Sequence, residues 1–564
     1  MMKTILLPFI TRPLPLLLAL LLVSGCTNTP LVKSKAAIAT AHPLATQAGF
    51  RALDQGGNAF DAAVAAASVL SVVEPYSAGL GGGGFWLLQD KKGESIVIDA
   101  REKAPEHAHR NMYLNNRGEP LSGKPSVNGP MAAAIPGQAA AFAHISKHYG
   151  IRPLAANLSD AVRLANKGFR VDNKYQRLAG YRLKTLNQHP YSKKIFLESG
   201  AVPSSHFIIK QPQLADTLRL LGRKGHKGFY KGAIAEKLVA DVKANGGIWT
   251  LQDLNEYQIV ERPPIIFEYD DATVITPPPP SSGGVALQQM LNILEQFDTS
   301  EMSKIEKTHL ITEIMRRVYR DRAEWLGDAD FVDIPVKQLT SNSYLSYLAS
   351  TIDLAKATPS KQLAPAGNSD EGTHTTHLSV VDKWGNKVSA TLSINLPFGS
   401  AFTSSSTGVL LNNEMDDFSI KPGTPNAYGL VGNEQNAIAP GKRPLSSMTP
   451  TIINSSESEA IIGTPGGSRI ITMVLLGVLD YMDKKPVSEW VSTPRFHHQY
   501  LPDAIQHEPD TFTENEIQKL KEMGHKLKNV KRNYGNMQAI HINKLTGTIE
   551  AASDPRGEGQ AIVR

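Results

Sequence analysis

The segment THTTH, residues 373–377, places hydroxyl and imidazole side chains at five consecutive positions. Histidines spaced like His374 and His377 can bind a metal ion from a helix. The β-branched residues around them indicate a strand, however, where these two side chains point to opposite faces. The adjacent His497 and His498 have the same difficulty, and no Cys, His or Asp cluster at a familiar spacing adds a third ligand. The sequence therefore predicts no metal site.

Thr375 offers a different chemistry, that of a nucleophile. A threonine hydroxyl reacts poorly unless a base takes its proton, and the α-amine of an N-terminal threonine is a base with a near-neutral pKa within reach. Reaching that state requires cleavage of the bond between His374 and Thr375. The stretch from Ala355 to His374 is rich in Pro, Ala, Gly and Ser, which predicts an exposed, mobile segment suited to such a cut. On this segment alone, threonines that simply form a strand remain an alternative.

Two other chemistries have weaker support in the sequence. GLGGGG, residues 79–84, satisfies G-x-G-x-x-G, but a helix is predicted before it and strands after it, the reverse of a dinucleotide site. We interpret these glycines as allowing packed elements to approach closely. A Ser-His-Asp triad has no G-x-S-x-G elbow to rest on. The sequence therefore predicts no cofactor.

A β-hairpin is predicted to position Thr375. THLSVV and KVSATLSI read as strands, and DKWGN between them suits a type I turn closed by a left-handed glycine. That turn pairs Asp382 with Asn386 and places Thr375 opposite Ser393. One predicted face is apolar and carries Leu378, Val380, Val388, Ala390, Leu392 and Ile394. The other face is a strip of small polar groups, which indicates a site, and it carries Thr375, His377, Ser379, Ser389, Thr391 and Ser393.

The rest of the chain supplies the frame for this hairpin. At 564 residues it is long enough for a large core or for two closely associated domains. Its net charge of +6 is not clustered with aromatic residues, which argues against nucleic acid as a partner. The part before Thr375 is helix-rich: Asn58 is placed to cap a buried, Ala-rich helix, Thr250 begins a capping box, and a long helix is predicted over residues 304–326. From Thr375 onwards strands predominate.

The N-terminus reads as an export signal. Lys3 and Arg12 are accompanied by the apolar run LPLLLALLLVSG, which is too short for a comfortable transmembrane helix. The run ends at Cys26, the only cysteine, so a structural disulfide is excluded. The pattern resembles a bacterial lipoprotein signal, in which residues 1–25 are removed and Cys26 is acylated. We expect an exported protein of the periplasm or cell envelope with a lipid anchor; a plain secretory signal is the alternative.

In its motifs THTTHLSVVD and NNEMDDF, the chain resembles the γ-glutamyltranspeptidases, or glutathione hydrolases. The resemblance covers essentially the whole mature chain and includes GGNAFDAAVA, GLGGGGF, DAREKAP, PPPPSSGG, RPLSSMTPTI, GTPGGSRII, PRFHHQ and ASDPR. It implies an α+β fold, the four-layer αββα sandwich of N-terminal-nucleophile hydrolases. It also implies autocatalytic cleavage at His374–Thr375 into a large subunit, residues 26–374, and a small subunit, residues 375–564, which remain together as a heterodimer.

The resemblance further implies a γ-glutamyltransferase and glutathione hydrolase. Thr375 would attack the His374 carbonyl during processing and the γ-amide of glutathione or related compounds during turnover. The γ-glutamyl group would then pass from Thr375 to water, an amino acid or a dipeptide. Ser393 stands where the family commonly carries a second threonine, so the hydroxyl is kept and the β-branch is lost. Gly466 and Gly467 match the oxyanion hole.

The same resemblance assigns the residues that bind the amino-acid end of the substrate. Arg101 matches the arginine that binds the α-carboxylate, and Ser446 and Ser447 match hydroxyls that hold the same group. The acceptors for the α-ammonium match Asn395, Glu414 and Asp417. Glu414 stands where some bacterial members carry Gln.

A lid is implied by KPGTPNAYGLVGNEQNAIAPGKRP, in which Tyr428 matches the gating aromatic residue. Relatives with cephalosporin-acylase activity often lack this lid, so its presence favours γ-glutamyl substrates. Two alternatives remain: an acylase of the same fold with another acyl group, and an unprocessed, non-catalytic surface lipoprotein.

Overall fold

Strands from both parts of the chain build the fold, which a computed structural model describes for residues 35–363 and 375–564. The strands in these ranges are β1 (Ala37–Thr40), β2 (Gly83–Gln89), β3 (Ser95–Ala100), β4 (Phe169–Arg170), β5 (Ile208–Ile209), β6 (Val260–Arg262), β7 (Ile265–Tyr269), β8 (Ala272–Thr276), β9 (Thr376–Val381), β10 (Lys387–Ser393), β11 (Thr451–Ser455), β12 (Ser458–Gly463), β13 (Phe496–His497), β14 (Ile505–His507), β15 (Leu527–Asn529), β16 (Gln538–Asn543), β17 (Ile549–Ser553) and β18 (Gln560–Val563).

The helices of the same ranges cluster ahead of β9, as the sequence predicts. They are α1 (Pro43–Asp54), α2 (Ala59–Val73), α3 (Gln138–His148), α4 (Leu154–Asn157), α5 (Ser159–Lys167), α6 (Asn173–Gln188), α7 (Pro190–Phe196), α8 (Pro212–Lys224), α9 (Lys227–Tyr230), α10 (Ala233–Ala244), α11 (Leu251–Glu256), α12 (Gly283–Leu294), α13 (Lys304–Trp325), α14 (Val336–Leu339), α15 (Asn342–Ser350), α16 (Ile470–Met482), α17 (Val487–Ser492) and α18 (Glu514–Glu522).

Two large sheets form the centre of the molecule. The first has seven strands in the order β18-β1-β9-β10-β2-β3-β6, and the second has six in the order β17-β16-β12-β11-β8-β7. All of these neighbours whose register is described are antiparallel. Each sheet contains strands from before and after Thr375, so the two parts of the chain are interleaved.

Two apolar cores separate the layers. In one core, Trp86 and Leu378 on the outer face of the first sheet pack with the buried residues of α1 and α2. In the other, Leu87 on the opposite face packs with Ile461 of the second sheet, and the same core continues into α12, α13 and α16. The order helix, sheet, sheet, helix confirms the predicted four-layer α+β sandwich.

The helices begin where their capping residues predict. The side chain of Asn58 accepts a hydrogen bond from the Asp61 backbone N–H, and the Asp61 carboxylate accepts one from the Asn58 backbone N–H, a complete capping box. Every residue of α2 is buried, in agreement with its small side chains. Thr250 and Ser303 cap α11 and α13 in the same way, and the predicted starts of both helices are confirmed.

The hairpin that carries Thr375 has the predicted register. Asp382 donates its backbone N–H to the Asn386 carbonyl, and the pairs continue from Val381–Lys387 to Thr376–Leu392. The face that is predicted to be apolar lies in the core, where it packs against α2. A Cβ on Gly82 would lie 2.0 Å from the Ser393 carbonyl oxygen, so this glycine permits the close approach to the end of β10.

The polar face of the hairpin serves mainly to pack the sheets, which the sequence did not predict. Ser379 and Ser389 donate to the carbonyls of Gln538 and Ile462 in the second sheet, at 3.1 and 3.2 Å. His377 bonds Thr391 at 2.8 Å, and burial lowers its pKa to about 3. The sheets therefore satisfy most of this strip, and only its end at Thr375 and Ser393 reaches a cavity.

The segment ahead of Thr375 differs from its prediction over residues 355–363. Ser360 is fully buried and begins a short 3-10 helix. Its backbone N–H donates to Asp503 at 2.9 Å, and its hydroxyl accepts from Arg316 at 2.6 Å. Most residues from 355 to 363 are exposed, as predicted, but Ala357 and Ser360 are buried. The expectation of no stable structure is wrong at Ser360–Gln362, because partners from distant elements satisfy the polar groups of Ser360.

Several predictions lie outside the described residues. They concern the signal at residues 1–25, Cys26, and residues 364–374, including His374. Within residues 35–363 and 375–564, no helix combines the length and the apolar character needed to cross a membrane.

Candidate active site

Thr375 lies at the junction of two cavities, directly before β9. We call the first the inner cavity. Beside Thr375 it is lined by the predicted residues Arg101, Ser393, Asn395, Glu414, Asp417, Tyr428, Ser446, Ser447 and Gly467. The second is the larger outer cleft, and it contains Gly466 together with Thr375. The fold thus brings together every predicted site residue that it describes.

Arg101 follows the last residue of β3 and is 1% exposed. Its Nη1 donates to Glu414 at 2.7 Å, and its Nη2 donates to Asp417 at 2.5 Å. Its Nε donates to the Pro444 carbonyl at 3.1 Å. Burial alone lowers the pKa of Arg101, but the carboxylates of Glu414 and Asp417 outweigh it and raise the pKa above its ordinary value. Each nitrogen of this guanidinium therefore has a partner within the protein.

The acidic side of the inner cavity is strongly desolvated. Burial, together with nearby carboxylates, raises the pKa of Glu414 well above its ordinary value, although Arg101 opposes the shift. Glu414 Oε1 is buried and has no hydrogen-bond partner among the described residues. A buried acceptor without a donor is costly, so this oxygen is suited to a donor brought by a ligand.

Glu102 is a second buried acid, which the sequence analysis missed. Neither of its carboxylate oxygens has a hydrogen-bond partner in the described chain, and the nearer one lies 3.6 Å from Arg101 Nη1. Burial raises the pKa of Glu102 to about 8 despite the opposing charge of Arg101. Its position directly after Arg101 in DAREKAP was the available signal, but an exposed alternating residue has the same appearance in sequence.

Ser393 and Asn395 form the floor beside Thr375. The backbone N–H of Asn395 donates to Ser393 Oγ at 2.7 Å, and the Asn395 amide donates to the Asn413 carbonyl at 2.9 Å. Because Ser393 Oγ acts as an acceptor here, its own hydrogen remains available for donation. Asn395 has a φ of +70°, a left-handed conformation that asparagine tolerates better than most residues. This bend ends β10 at the cavity.

The PPPPSSGG motif positions the two serines opposite. Ser282 donates both its backbone N–H and its hydroxyl to the Ser446 carbonyl, at 2.8 and 2.7 Å. The Ser446 backbone N–H in turn donates to the Pro280 carbonyl at 2.8 Å. These bonds fix the backbone of Ser446 and Ser447 so that both side chains line the inner cavity.

Arg322 of α13 also lines the inner cavity and was not predicted. Its Nε donates to Ser282 Oγ at 3.0 Å, and its Nη2 donates to Ser447 Oγ at 3.1 Å. Burial lowers the pKa of Arg322 to about 10. The sequence did contain a signal for this residue. Met315, Val318 and Tyr319 follow helical spacing on the buried side of α13, and Arg322 occupies the next position on that side, where an apolar residue is expected.

The ring of Tyr428, which belongs to the lid, lies directly over Gly467. Gly467 has a φ of +57°, and a Cβ on it would lie 2.5 Å from the Tyr428 ring. The glycine thus satisfies both a left-handed backbone and a close approach. It begins the turn that leads into α16, where the partial positive charge of the helix N-terminus favours an anion.

The lid is held closed over the inner cavity. Tyr428 is 5% exposed, and its carbonyl accepts a hydrogen bond from Gln499 at 3.2 Å. The Ala427 backbone N–H donates to Asp416 at 2.8 Å, and Ser126 donates to the same carboxylate at 2.8 Å. Burial raises the pKa of Asp416 to about 6. Residues on both sides of the lid therefore fix its tip.

On the outer side, Thr376 anchors the start of β9. Its hydroxyl donates to Glu74 Oε2 at 2.8 Å, and Lys174 of the outer cleft bonds Glu74 Oε1 at 2.8 Å. The nucleophile candidate is therefore followed by a residue whose side chain is fixed in the core, which limits how far Thr375 can move.

The arrangement can recognise a zwitterionic amino-acid group next to Thr375. The inner cavity is lined by carboxylates suited to an ammonium and by hydroxyls and guanidinium groups suited to a carboxylate. No group of three His, Cys, Asp or Glu side chains in the described ranges could hold a metal ion.

The chain is similar to known proteins over most of its length. The family model described as γ-glutamyltranspeptidase matches residues 45–564. The glutathione hydrolase proenzyme of Escherichia coli K12 is 41% identical over 533 residues, which cover 93% of this chain and 91% of the relative. The glutathione hydrolase proenzyme of Pseudomonas aeruginosa is 38% identical, with 91% of each chain covered.

Solved structures show the same similarity. The γ-glutamyltranspeptidase of Helicobacter pylori is 37% identical with a TM-score of 0.56, and the match covers 58% of this chain and 94% of that chain. A cephalosporin acylase from Bacillus halodurans has a TM-score of 0.83 at 28% identity, covering 94% of this chain and 96% of that chain.

Proposed function

Because the chain belongs to the γ-glutamyltranspeptidase family and is a γ-glutamyl hydrolase and transferase made as a proenzyme, we propose the groups that carry out its chemistry. Thr375 is the nucleophile of processing and of turnover. The observation that carries this proposal is its position between the inner cavity and the outer cleft, where one cavity holds an acyl group and the other admits an amine.

In the first half-reaction, Thr375 Oγ attacks the γ-amide carbonyl while the α-amine of Thr375 takes the hydroxyl proton. The carbonyl oxygen becomes an oxyanion, which the backbone N–H groups of Gly466 and Gly467 stabilise. When the tetrahedral intermediate collapses, the C–N bond breaks and the leaving amine receives the proton from the α-ammonium. The product is a γ-glutamyl ester on Thr375, and Ser393 positions the attacking oxygen by donating its free hydrogen.

In the second half-reaction, water or the amine of an amino acid or dipeptide attacks this ester. The α-amine of Thr375 again takes the proton, and the hydroxyl of Thr375 leaves and recovers it. The outer cleft is the route for the released dipeptide and the incoming acceptor, since it opens on the side of Thr375 away from the closed lid. Glutathione and other γ-glutamyl compounds are the donors.

The inner cavity binds the amino-acid end of the donor. Glu414 Oε1, which lacks a donor among the described residues, accepts from the α-ammonium together with Asp417 and Asn395. Arg101, Ser446 and Ser447 bind the α-carboxylate. Tyr428 closes the cavity.

An acylase for a different acyl group is the competing function, and the buried acids argue against it. A glutaryl group lacks the ammonium and would leave the Glu414 carboxyl without a partner in a desolvated site. Comparing γ-glutamyl-p-nitroanilide with glutaryl-p-nitroanilide separates the two functions. The proposal requires a clear preference for the former.

Cleavage of the bond between His374 and Thr375 is the step that exposes the amine. We propose that it divides the mature chain into residues 26–374 and 375–564, which stay paired through the shared sheets. The test is a Thr375→Ala variant, with Thr375→Ser as the conservative change and Thr373→Ala as the control. On a denaturing gel, wild type and control must give two fragments, the serine variant must process more slowly, and the alanine variant must stay uncut and inactive. An active, uncut alanine variant, or a smaller fragment whose first residue is not Thr375, would refute the proposal.

Attachment to a membrane through a lipid on Cys26 is the remaining proposal, supported by the lipoprotein-like pattern of residues 1–26. Labelled fatty acid must be incorporated into wild type and lost in Cys26→Ser. Incorporation that persists in the variant would overturn it.

A further inference from the structure

Glu74 places a buried carboxylate next to the start of β9. The residue is fully buried and caps the C-terminus of α2, where the partial negative charge of the helix end disfavours an acid. Three donors compensate for this cost. The hydroxyl of Thr376 donates to Glu74 Oε2 at 2.8 Å, whereas Lys174 Nζ and the hydroxyl of Tyr76 donate to Oε1 at 2.8 and 3.1 Å. Glu74 and Lys174 thus form an ion pair beside the strand that Thr375 precedes.

This ion pair lies close to the nitrogen of Thr375. Glu74 and Lys174 precede the proposed cleavage site and Thr376 follows it, so their contacts do not depend on the bond that is cut. Bond lengths place the Thr375 nitrogen within about 10 Å of the Glu74 carboxylate, because one residue and one hydrogen bond separate the two groups. Lys174 and Thr375 line the same outer cleft. Both charges of the pair therefore act on the amine that cleavage exposes.

We propose that the ion pair of Glu74 and Lys174 sets how firmly the α-amine of Thr375 holds a proton, and hence the pH range in which Thr375 is active. The inference rests on the proposed function, because it concerns the amine that acts as the base there. That amine must be neutral to take the hydroxyl proton. A nearby carboxylate stabilises the ammonium form of the amine, and a nearby lysine destabilises it. The pair keeps these two influences in balance.

The groups packed around Glu74 leave Lys174 as its counter-ion. His42 lies 3.9 Å from Asp172, and burial lowers the pKa of His42, so its imidazole is largely neutral at about pH 7. Asp172 is a second acid of this group; burial raises its pKa, and its carboxylate accepts from the Tyr175 backbone N–H. Removing the charge of Glu74 or of Lys174 alone therefore changes the local balance by one unit.

Other titratable groups face Thr375 from both cavities. On the outer side they are Arg177, Arg532, Arg556 and Glu558, with the phenols of Tyr181 and Tyr534. In the inner cavity they are Arg101, Arg322, Glu414 and Asp417, with the phenol of Tyr428. All of them are the same in every variant of the test below, so their influence on the amine cancels when the variants are compared.

A purely mechanical role is the alternative, in which the ion pair only ties α2, α6 and β9 together. In that role, loss of either partner loosens the same contact, so both losses affect Thr375 in the same way. Charges of opposite sign act differently: without Glu74 the ammonium form of the amine is less stable, and without Lys174 it is more stable. The direction of the change in pH dependence therefore separates the two roles.

The test measures kcat for hydrolysis of γ-glutamyl-p-nitroanilide by the processed enzyme as a function of pH, without an added acceptor. The fall of kcat on the acidic side, its acidic limb, reports the protonation of a base in the enzyme–substrate complex. In that complex the acids of the inner cavity are paired with the ammonium of the substrate. The acidic limb of kcat is therefore the readout for the α-amine of Thr375.

Glu74→Gln is expected to move the acidic limb to lower pH by about 0.5–1 unit, the effect of a unit charge about 10 Å away after screening by salt. The glutamine carbonyl can still accept from Thr376, so the maximal kcat should stay within about 3-fold of wild type. Lys174→Met must move the limb to higher pH by about 0.3 unit or more, because its opposite charge lies beside that of Glu74. The double variant Glu74→Gln/Lys174→Met must lie between the two single variants.

Three further variants separate charge from contact. Thr376→Val removes the hydrogen bond and keeps the ion pair. It is expected to lower the maximal kcat by roughly 3- to 30-fold, a part of the worth of a hydrogen bond to a charged group, without moving the acidic limb. Lys184→Met, at an exposed lysine of the same helix α6, and Glu94→Gln, at an exposed acid, are the matched controls. Both must leave kcat and its acidic limb unchanged.

Two results would overturn the inference: an acidic limb that stays in place in Glu74→Gln, or limbs that move in the same direction in both single variants. If Lys174→Met is not recovered as a processed enzyme, the double variant decides, since it leaves no unpaired carboxylate at this position. Its acidic limb must then lie at higher pH than that of Glu74→Gln. Wild type that fails to cleave γ-glutamyl-p-nitroanilide would refute the proposed function itself, whereas an active enzyme whose limb ignores both charges would refute this inference alone.

Discussion

The hydroxyl of Tyr428 donates a hydrogen bond to the backbone carbonyl of Asn395, with 2.9 Å between the two oxygens. The ring of the same residue lies over Gly467. One side chain of the lid therefore contacts both the bend that ends β10 and the turn that begins the path into α16. Closure of the lid and the geometry around Thr375 are linked through this contact.

Replacing Tyr428 by Phe removes the hydrogen bond and keeps the ring. We expect KM for γ-glutamyl-p-nitroanilide to rise by roughly 2- to 10-fold, since a neutral hydrogen bond contributes about 0.5–1.5 kcal/mol. Steady-state kinetics checks this, with Tyr347→Phe as a control at a residue that is 60% exposed. An unchanged KM would mean that the lid is held by its other contacts alone.

Replacing Gly467 by Ala places a methyl group against the Tyr428 ring and strains the backbone. We expect kcat to fall by roughly 100-fold, as for loss of an oxyanion donor. The double variant Gly467→Ala/Tyr428→Ala separates the two causes. If the clash with the ring matters, the two losses will be non-additive by about 0.5–3 kcal/mol. Strict additivity would show that backbone strain alone accounts for the loss.

Ser393 is expected to matter through its hydroxyl rather than its size. Ser393→Ala should lower kcat by roughly 10- to 100-fold, because it removes the hydrogen available to Thr375 and leaves the Asn395 N–H without its acceptor. Ser393→Thr restores the hydroxyl and should stay within about 3-fold of wild type, since the two side chains differ by one methyl group. Ser389→Ala is the matched control on the same face of β10, away from the cavity. An alanine variant with full kcat would contradict this role.

Glu102 should make stability depend on pH. Its pKa is about 8 in the folded protein, against 4.5 ordinarily, so between these values the folded chain keeps a proton that the unfolded chain has lost. Unfolding releases that proton, and the free energy of unfolding must fall as pH rises through this window.

Replacing Glu102 by Gln removes the proton release. From pH 5 to pH 8, wild type should lose stability relative to Glu102→Gln. The Tm of the variant minus the Tm of wild type should therefore increase by about 2 °C or more over this range, since one pKa unit corresponds to about 1.4 kcal/mol. Differential scanning calorimetry at both pH values measures this, with the exposed Glu94→Gln as the control. A Tm difference that does not change with pH would show that Glu102 is ionised in the folded state throughout.

The features that the sequence predicted well are those set by local rules. The turn between Asp382 and Asn386 fixed the register of the hairpin, and the register placed Ser393 near Thr375 before any fold was considered. The caps at Asn58 and Thr250 fixed the starts of their helices in the same way. The clustering of distant residues such as Arg101 and Glu414 came from the family resemblance, since no local pattern links them.

The features that it missed depend on what packs against them. The polar face of the hairpin reads as a site, but the second sheet uses most of it for packing around His377. Ser360 reads as part of a loose linker, but Arg316 and Asp503 are brought to it by the fold. In the sequence, Arg322 cannot be distinguished from the other charged residues of α13. Only the folded structure shows that Arg322 lines the inner cavity.

Strand β1 lies between β9 and β18 in the first sheet, so a strand from ahead of Thr375 is enclosed by two from behind it. Partner exchange between cleaved molecules would require pulling an inner strand out of its ladder and baring hydrogen-bonding edges on both products. Differently tagged molecules that are mixed after maturation will therefore keep their original pairings. Either piece produced by itself in a cell will be recovered in inclusion bodies.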